Sequence, residues 1–189
     1  MLRFSALLAC GVLAGCAGAP PTLLVGRDQI RDFALEARFV LRVSQPGGSP
    51  ESSGGRLAWE HKNDKDRILI SNPLGVGMAE IDVSPALSRL RTADGQVRES
   101  ADADALMEDV TGHRLPVSRL PGWLLGRAGT PSIVVSDNAG RPARLSEDGW
   151  QIDYAYPDDM AGALPVGVNL TRSSDIDLRL RIEEWRAIP

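Results

Sequence analysis

Cysteine is nearly absent from this chain of 189 residues: only Cys10 and Cys16 occur, and both lie close to the N-terminus. The rest of the chain therefore has no disulfide and no thiol chemistry, so its stability must come from an apolar core. Long apolar runs are missing as well. The apolar segment at residues 4–14 is shorter than the roughly 20 residues that a membrane-spanning helix needs.

Histidine and the usual catalytic motifs are also scarce. His61 and His113 are the only histidines, and neither has the HExxH spacing or the neighbouring cysteine that would indicate zinc. We expect both to be surface residues. Neither a GxSxG nucleophile motif nor a GxxxxGK[ST] phosphate loop occurs. We therefore expect no catalytic residue, no metal ion and no cofactor, and the chain is not predicted to be an enzyme.

The charged residues do not indicate a nucleic-acid partner. Lys and Arg number 21 against 25 Asp and Glu, which gives a net charge of −4, and no basic stripe is present. Two carboxylate pairs, Asp102/Asp104 and Asp158/Asp159, are explained by helix-cap and turn positions.

What the chain does have is an N-terminal export signal. A single basic residue, Arg3, precedes the apolar segment, and small residues follow it, which is the order of a secretory signal peptide. The sequence Leu13-Ala14-Gly15-Cys16 resembles the lipobox of bacterial lipoproteins, in which the cysteine is lipidated and becomes the first mature residue. Cys10 is a weaker candidate for the same role. The alternative is an ordinary cleaved signal with an incidental cysteine.

This signal divides the chain into three parts. We predict a signal peptide at residues 1–15, a lipidated flexible tether at 16–29 and a single domain at 30–189. The tether contains the sequence Ala-Gly-Ala-Pro-Pro, which is typical of a linker. The remainder is long enough to bury a sizeable core.

Alternation of apolar and polar residues predicts a chain made mainly of strands. The clearest case is residues 33–43, in which Phe, Leu, Ala and Val alternate with Glu, Arg and Ser neighbours. Residues 45–55, rich in Pro, Gly and Ser, are predicted to be a loop. Similar short strands recur to the C-terminus with turn residues between them, which indicates an antiparallel sheet of about 10–11 strands, curled or closed.

Two short helices are predicted in the middle of the chain. Asp102 is suited to cap the first, Leu106 and Val110 lie one turn apart on its apolar side, and Gly112 is suited to end it. Residues 116–125 indicate a second helix.

The segment Asn72-Pro73-Leu74-Gly75 departs from ordinary turn chemistry. Pro73 cannot donate to a sheet and Gly75 permits an unusual backbone turn, so Leu74 is an apolar side chain in a position that is normally polar. The alternative is that Leu74 folds back into the core.

These features together resemble the LolB family of outer-membrane lipoprotein receptors, over roughly residues 33–185. The resemblance rests on an ordered set of residues rather than on one motif. The set is Arg38-Phe39, Trp59, Ser71 to Gly75, the acidic helix Asp102 to Gly112, Leu115-Pro116, Leu120, Trp123 to Gly126, Gly149-Trp150, Tyr154 and Trp185. The chain departs from the family pattern at Ala37, where Gly is frequent, and at Ala128-Gly129, where Pro is common.

The resemblance implies a half-open antiparallel β-barrel, with short α-helices as a lid over an apolar cavity. It implies a monomer that accepts acylated lipoproteins from the periplasmic carrier LolA and inserts them into the outer membrane. Leu74 matches the family's apolar residue on a protruding loop, which is the side chain that acts in insertion, and Pro73 and Gly75 shape that loop. Ala17 follows Cys16, whereas an Asp there typically retains a lipoprotein in the inner membrane.

Inward-facing apolar residues and tryptophans are the candidates for the cavity wall. Sequence periodicity cannot distinguish a hollow interior from a filled one, so for each tryptophan core packing is the alternative. The candidates are Phe39, Trp59, Ile70, Leu106, Trp123, Leu124, Trp150, Leu178 and Trp185. The other functions considered are a lipid-binding module without a carrier partner, a scaffold lipoprotein with a filled barrel, and an uncatalogued hydrolase.

Overall fold

The structure, a computed structural model, describes residues 26–44, 48–173 and 175–188. The predicted signal peptide and Cys16 lie outside these ranges. The strands are β1 Phe33–Val43, β2 Glu51–Lys62, β3 Lys65–Ser71, β4 Gly77–Val83, β5 Ser88–Thr92, β6 Val97–Ser100, β7 Ile133–Ser136, β8 Pro142–Glu147, β9 Trp150–Ala155, β10 Gly167–Arg172 and β11 Ile176–Ala187. The helices are α1 Ala103–Thr111 and α2 Leu120–Leu124.

All eleven strands form one antiparallel sheet in the order β6-β5-β4-β3-β2-β1-β11-β10-β9-β8-β7. The sheet does not close into a barrel, because β6 and β7 lie at its two ends. Buried side chains from both halves of the sheet belong to a single apolar cluster, so the sheet curves around one core. The predicted fold, a mainly β, half-open antiparallel arrangement with short helices, is confirmed.

The alternation predicted for β1 decides which face of the sheet is buried. Phe33, Leu35 and Ala37 are each at most 2% exposed, whereas Glu36 and Arg38, which flank Ala37, face solvent. This two-residue period follows from the pleat of a strand. On the solvent face the charges pair across strands: Arg38 Nε donates to Glu183 Oε1 at 2.6 Å.

The predicted loop at residues 45–55 is partly wrong, because β2 begins at Glu51. Its two glycines are strand residues. A Cβ on Gly55 would lie 2.2 Å from the carbonyl oxygen of Ser71, and one on Gly54 would lie 3.0 Å from that of Phe39. Gly-rich composition here reflects close approach of neighbouring backbones rather than a turn.

The first helix begins and ends where the sequence predicts. The Asp102 carboxylate accepts hydrogen bonds from the N–H groups of Asp104 and Ala105, and Gly112 ends the helix with a φ of 75°. Val110, predicted to share the buried side with Leu106, is instead exposed. The buried residues of α1 are Ala103, Leu106 and Met107.

The second helix is shorter than predicted, since only Leu120–Leu124 is helical. Pro116 and Val117 before it are buried in non-helical chain. Among the residues described, no helix has the length and apolar character needed to span a bilayer.

The described residues just before the predicted domain also have regular structure. Residues 27–29, assigned to the tether, form a 3-10 turn, and Ile30 after it is 3% exposed. The Arg127 guanidinium donates to the carbonyl of Arg27 at 3.1 Å and also to that of Ile30. The Arg127 side chain thus binds carbonyl oxygens of the entering chain. Composition alone does not indicate this contact.

Candidate functional site

The inner face of the sheet is not completely filled. A cavity of about 380 Å³ lies between it and the segment that carries α1 and α2, within the size range of sites for small apolar ligands. We call it the apolar cavity. From the sheet its wall includes Phe39, Leu41, Leu57, Trp59, Ile68, Ile70, Ile81, Trp150, Leu170, Leu178 and Leu180. From the lid it includes Met107, Thr111, Leu115, Pro116, Val117 and Leu120.

The structure brings five of the nine candidate wall residues together. They are Phe39, Trp59, Ile70, Trp150 and Leu178. The other four lie elsewhere in the apolar cluster. Leu106, Trp123 and Leu124 are almost fully buried on the lid side, and the ring of Trp185 packs 5.4 Å from that of Phe33. Strand alternation places Trp185 on the inner face but does not give its height in the core, and the sequence does not show which side of α1 and α2 faces the cavity.

A buried carboxylate holds one tryptophan of the cavity wall. Asp66 is 7% exposed, and its Oδ1 accepts a hydrogen bond from the indole Nε1 of Trp59 at 2.8 Å. The same oxygen lies 2.7 Å from His61 Nδ1. This bond restrains the indole ring, so Asp66 holds the wall in place at this point.

His61 is therefore not the plain surface residue that was predicted. Its side chain is 15% exposed, and its ring stacks at 5.3 Å on that of Phe33. The hydrogen bond to Asp66 raises the pKa of His61, although burial acts in the opposite direction. The adjacent charges of Asp66, Asp32 and Asp64 raise the pKa further.

A second buried carboxylate attaches the lid to the sheet. Glu147 on β8 accepts hydrogen bonds from Trp123 Nε1 at 3.0 Å and from the N–H of Gly129 at 2.7 Å. On β9, the hydroxyl of Tyr154 donates to the Trp123 carbonyl at 2.8 Å, and burial raises the pKa of that phenol. Two strands thus hold α2 in place.

The loop that carries Leu74 is ordered by its own first residue. The Asn72 side-chain oxygen accepts hydrogen bonds from the N–H groups of Leu74 at 2.9 Å and Val76 at 3.0 Å. Gly75 has a φ of 86°, which favours glycine. Leu74 is 89% exposed, so it does not fold back into the core. We call residues 72–76 the Leu74 loop.

The Leu74 loop joins β3 to β4 at the end of the sheet opposite to the entering chain. The entering chain lies beside the β2–β3 turn, where the N–H of Asn63 donates to the Asp32 carboxylate at 3.0 Å. Strand β3 runs from that turn to the loop. The cavity wall reaches the loop's end of the sheet through Met78 and Thr92.

The family model for outer membrane lipoprotein LolB matches residues 31–185 of the chain. The chain belongs to the LolB family. An outer-membrane lipoprotein LolB from Dechloromonas aromatica strain RCB is 57% identical and covers 100% of this chain and 99% of its own length. A second, from Azoarcus sp. strain BH72, is 38% identical, with 98% and 97% of the two chains covered.

Membership of the LolB family confirms the resemblance and places the chain at the outer membrane. A LolA-superfamily protein of known structure, NE2245 from Nitrosomonas europaea, is similar with a TM-score of 0.46 and 10% identity. The match covers 82% of this chain and 87% of that one. This likeness is too distant to support an inference about function.

Ionised His61 should contribute to stability only at lower pH. Because the folded state raises its pKa above the ordinary value of 6.5, its contribution is complete below about pH 6.5 and is lost as pH rises through the folded-state pKa. We expect the Tm difference between wild type and His61→Gln to shrink by roughly 2–4 °C between pH 5.5 and 8.5. Thermal melting at both pH values measures it.

The matched control is His113→Gln, which removes the other histidine. It shows how much of any pH dependence follows from the loss of a histidine as such. A Tm difference for His61→Gln that is the same at both pH values would contradict a stabilising charged His61.

Proposed function

We propose that this LolB-family protein accepts acylated lipoproteins from the periplasmic carrier LolA and inserts them into the outer membrane. It acts as a transport protein and not as an enzyme. The observation that carries the proposal is the apolar cavity under the lid. A domain that serves only as a scaffold is expected to fill the inner face of its sheet with side chains.

The energetics of acyl chains favour such a cavity. Each CH₂ group removed from water contributes about 0.8 kcal/mol, so exposing whole chains in the periplasm would cost tens of kcal/mol. A carrier and a receptor that both enclose the chains avoid that cost. A tenfold preference for the receptor requires only about 1.4 kcal/mol, which slightly better burial of a chain supplies.

Cargo binding has a direct optical test, because Trp59 and Trp150 line the cavity. We expect a triacylated peptide to change the tryptophan emission spectrum of the wild-type protein, since acyl chains would alter the surroundings of both rings. The same peptide without acyl chains is the control. Equal spectra with the two peptides would instead support a scaffold that takes up no acyl chain.

The Leu74 loop is the proposed contact with the bilayer. An exposed Leu that enters the acyl region gains about 1.5–3 kcal/mol, which is enough to orient the domain but not to hold it there. Pro73 and Gly75 hold the Leu74 side chain at the tip of the loop, where it is exposed among the described residues, so insertion breaks little contact with them.

Leu74→Glu should separate acceptance from insertion. Because the side chain is 89% exposed, we expect the Tm to change by less than about 2 °C and the acylated peptide to bind as before. Transfer of that peptide to liposomes should fall at least about tenfold, since a carboxylate does not enter the acyl region.

The control is Leu87→Glu, which places the same charge on another exposed turn leucine, between β4 and β5. It should leave transfer unchanged. Normal transfer by Leu74→Glu would remove Leu74 from the mechanism, and equal losses in both variants would point to a general charge effect.

Anchoring through Cys16 on the periplasmic face is also proposed, and its support is the lipobox-like sequence before it. Mass spectrometry of the membrane form should find a triacylated cysteine at the mature N-terminus. Cys16→Ala protein should be soluble yet still bind the acylated peptide, because the cavity belongs to the domain. A membrane form that begins at another residue would exclude this anchor.

A further inference from the structure

One residue of β4 interrupts the regular pairing beside the Leu74 loop. Strands β3 and β4 pair with Ile70 opposite Ala79, and the next pair is Ser71 opposite Gly77. Met78 therefore has no partner on β3 and is the extra residue of a β-bulge. Its carbonyl accepts a hydrogen bond from Ala93 at 2.9 Å, so the bulge is stably held. Bulges commonly redirect a side chain next to a functional site.

The bulge places Met78 between two hollows. Met78 lines the apolar cavity and also a groove of about 580 Å³ whose wall includes Gly75 and Gly77. Met78 is 50% exposed, whereas the other apolar side chains named above in the cavity wall are buried or half-buried. It is thus the apolar side chain of that wall most open to the outside.

Met78 is also the last member of an apolar series that starts at the loop tip. Leu74, Val76 and Met78 occupy alternate positions and are 89%, 62% and 50% exposed. The residues between them are Gly75 and Gly77, and a Cβ on either would meet nothing within 4 Å. The backbone between the three side chains is therefore open at both glycines.

The charged residues next to this series are paired with one another. Glu80 accepts from Arg67 at 2.5 Å and from Arg91 at 3.5 Å. The charges of these three groups beside Met78 are thus paired. They attract less water to an apolar chain that passes than unpaired charges would.

We propose that Leu74, Val76 and Met78 form a transfer strip, along which an acyl chain moves between the apolar cavity and the bilayer, with Met78 as the lip of the cavity. The inference rests on the proposed function and assigns Val76 and Met78 to its release step. An acyl chain that leaves along this strip stays in contact with apolar surface, so few of its CH₂ groups are exposed to water at one time. An unbranched, flexible thioether is suited to a lip that must adapt to such a chain.

The test variant is Met78→Gln, which keeps the length of the side chain and removes its apolar character. Acylated-peptide binding should stay within about twofold of wild type, because most of the wall is unchanged. Transfer to vesicles of phosphatidylethanolamine and phosphatidylglycerol should slow about tenfold, the effect of losing one apolar contact in the rate-limiting passage. Met78→Leu should restore the wild-type rate.

The matched control is Met160→Gln, a change at an exposed methionine outside both hollows. It should alter neither binding nor transfer. A photoreactive diazirine at the end of the acyl chain gives a second readout, and it should crosslink to residues 74–78 once vesicles are present.

The outcomes separate the strip from the function on which it rests. If Met78→Gln transfers at the wild-type rate, or loses binding as much as transfer, Met78 is not a lip and the proposal is overturned. Crosslinks confined to the inner wall with vesicles present would also overturn it. A wild-type protein that binds no acylated peptide would refute the proposed function itself, before any variant is compared.

Discussion

An apolar cavity persists in water only if its walls cannot collapse into it, and that constraint gives the buried carboxylate of Asp66 its structural role. Side chains around an empty volume lose packing contacts on one side, so other contacts must hold them. Asp66 supplies such a contact for Trp59 through the indole N–H. The bond satisfies the polar edge of the Trp59 ring, and the ring itself is part of the cavity wall.

The lid follows the same logic, but its two helices are held differently. Helix α2 is bound to the sheet through Glu147 and Tyr154. Helix α1 is held mainly by its own connections, in which Asp102 pairs with Arg114 at 2.7 Å and Asp104 accepts from Ser118. The N–H of Ala105 and the Arg114 guanidinium keep the pKa of Asp102 below its ordinary value. Helix α2 is thus bound to β8 and β9, whereas α1 packs against β5 and β6 and is tied to β6 by the ion pair between Asp109 and Arg98 at 3.4 Å.

The sequence predicted those features that depend on local chemistry. Alternation in β1, the Asp102 cap and the unusual turn at Leu74 each follow from a few neighbouring residues, and the structure has all three.

Features that depend on distant residues were missed. His61 reads as a surface residue until Asp66 and Phe33 are brought beside it, and Gly54 and Gly55 read as a loop until β1 and β3 approach them. The bulge at Met78 depends on how two strands pair, so it cannot be predicted from the residue pattern of one strand. The four candidate wall residues outside the cavity also depend on distant contacts: the packing of α1 and α2 on the sheet for three of them, and the height in the core for Trp185.

The place where the chain enters the domain limits how the molecule can stand on a membrane. Gly26 and Leu74 lie toward opposite ends of the sheet, and the seven residues of β3 alone separate these ends by about 20 Å. Under the proposed anchoring, ten peptide units join Cys16 to Gly26, and they reach at most about 36 Å. If the Leu74 loop and the lipid on Cys16 enter the same bilayer, the segment between Cys16 and Gly26 must span the distance from the bilayer to the far end of the sheet. That distance takes up more than half of its reach. With the strands upright on the bilayer, half as many residues would reach about 18 Å, less than the length of β3, so the anchor and the loop could not both be in the membrane.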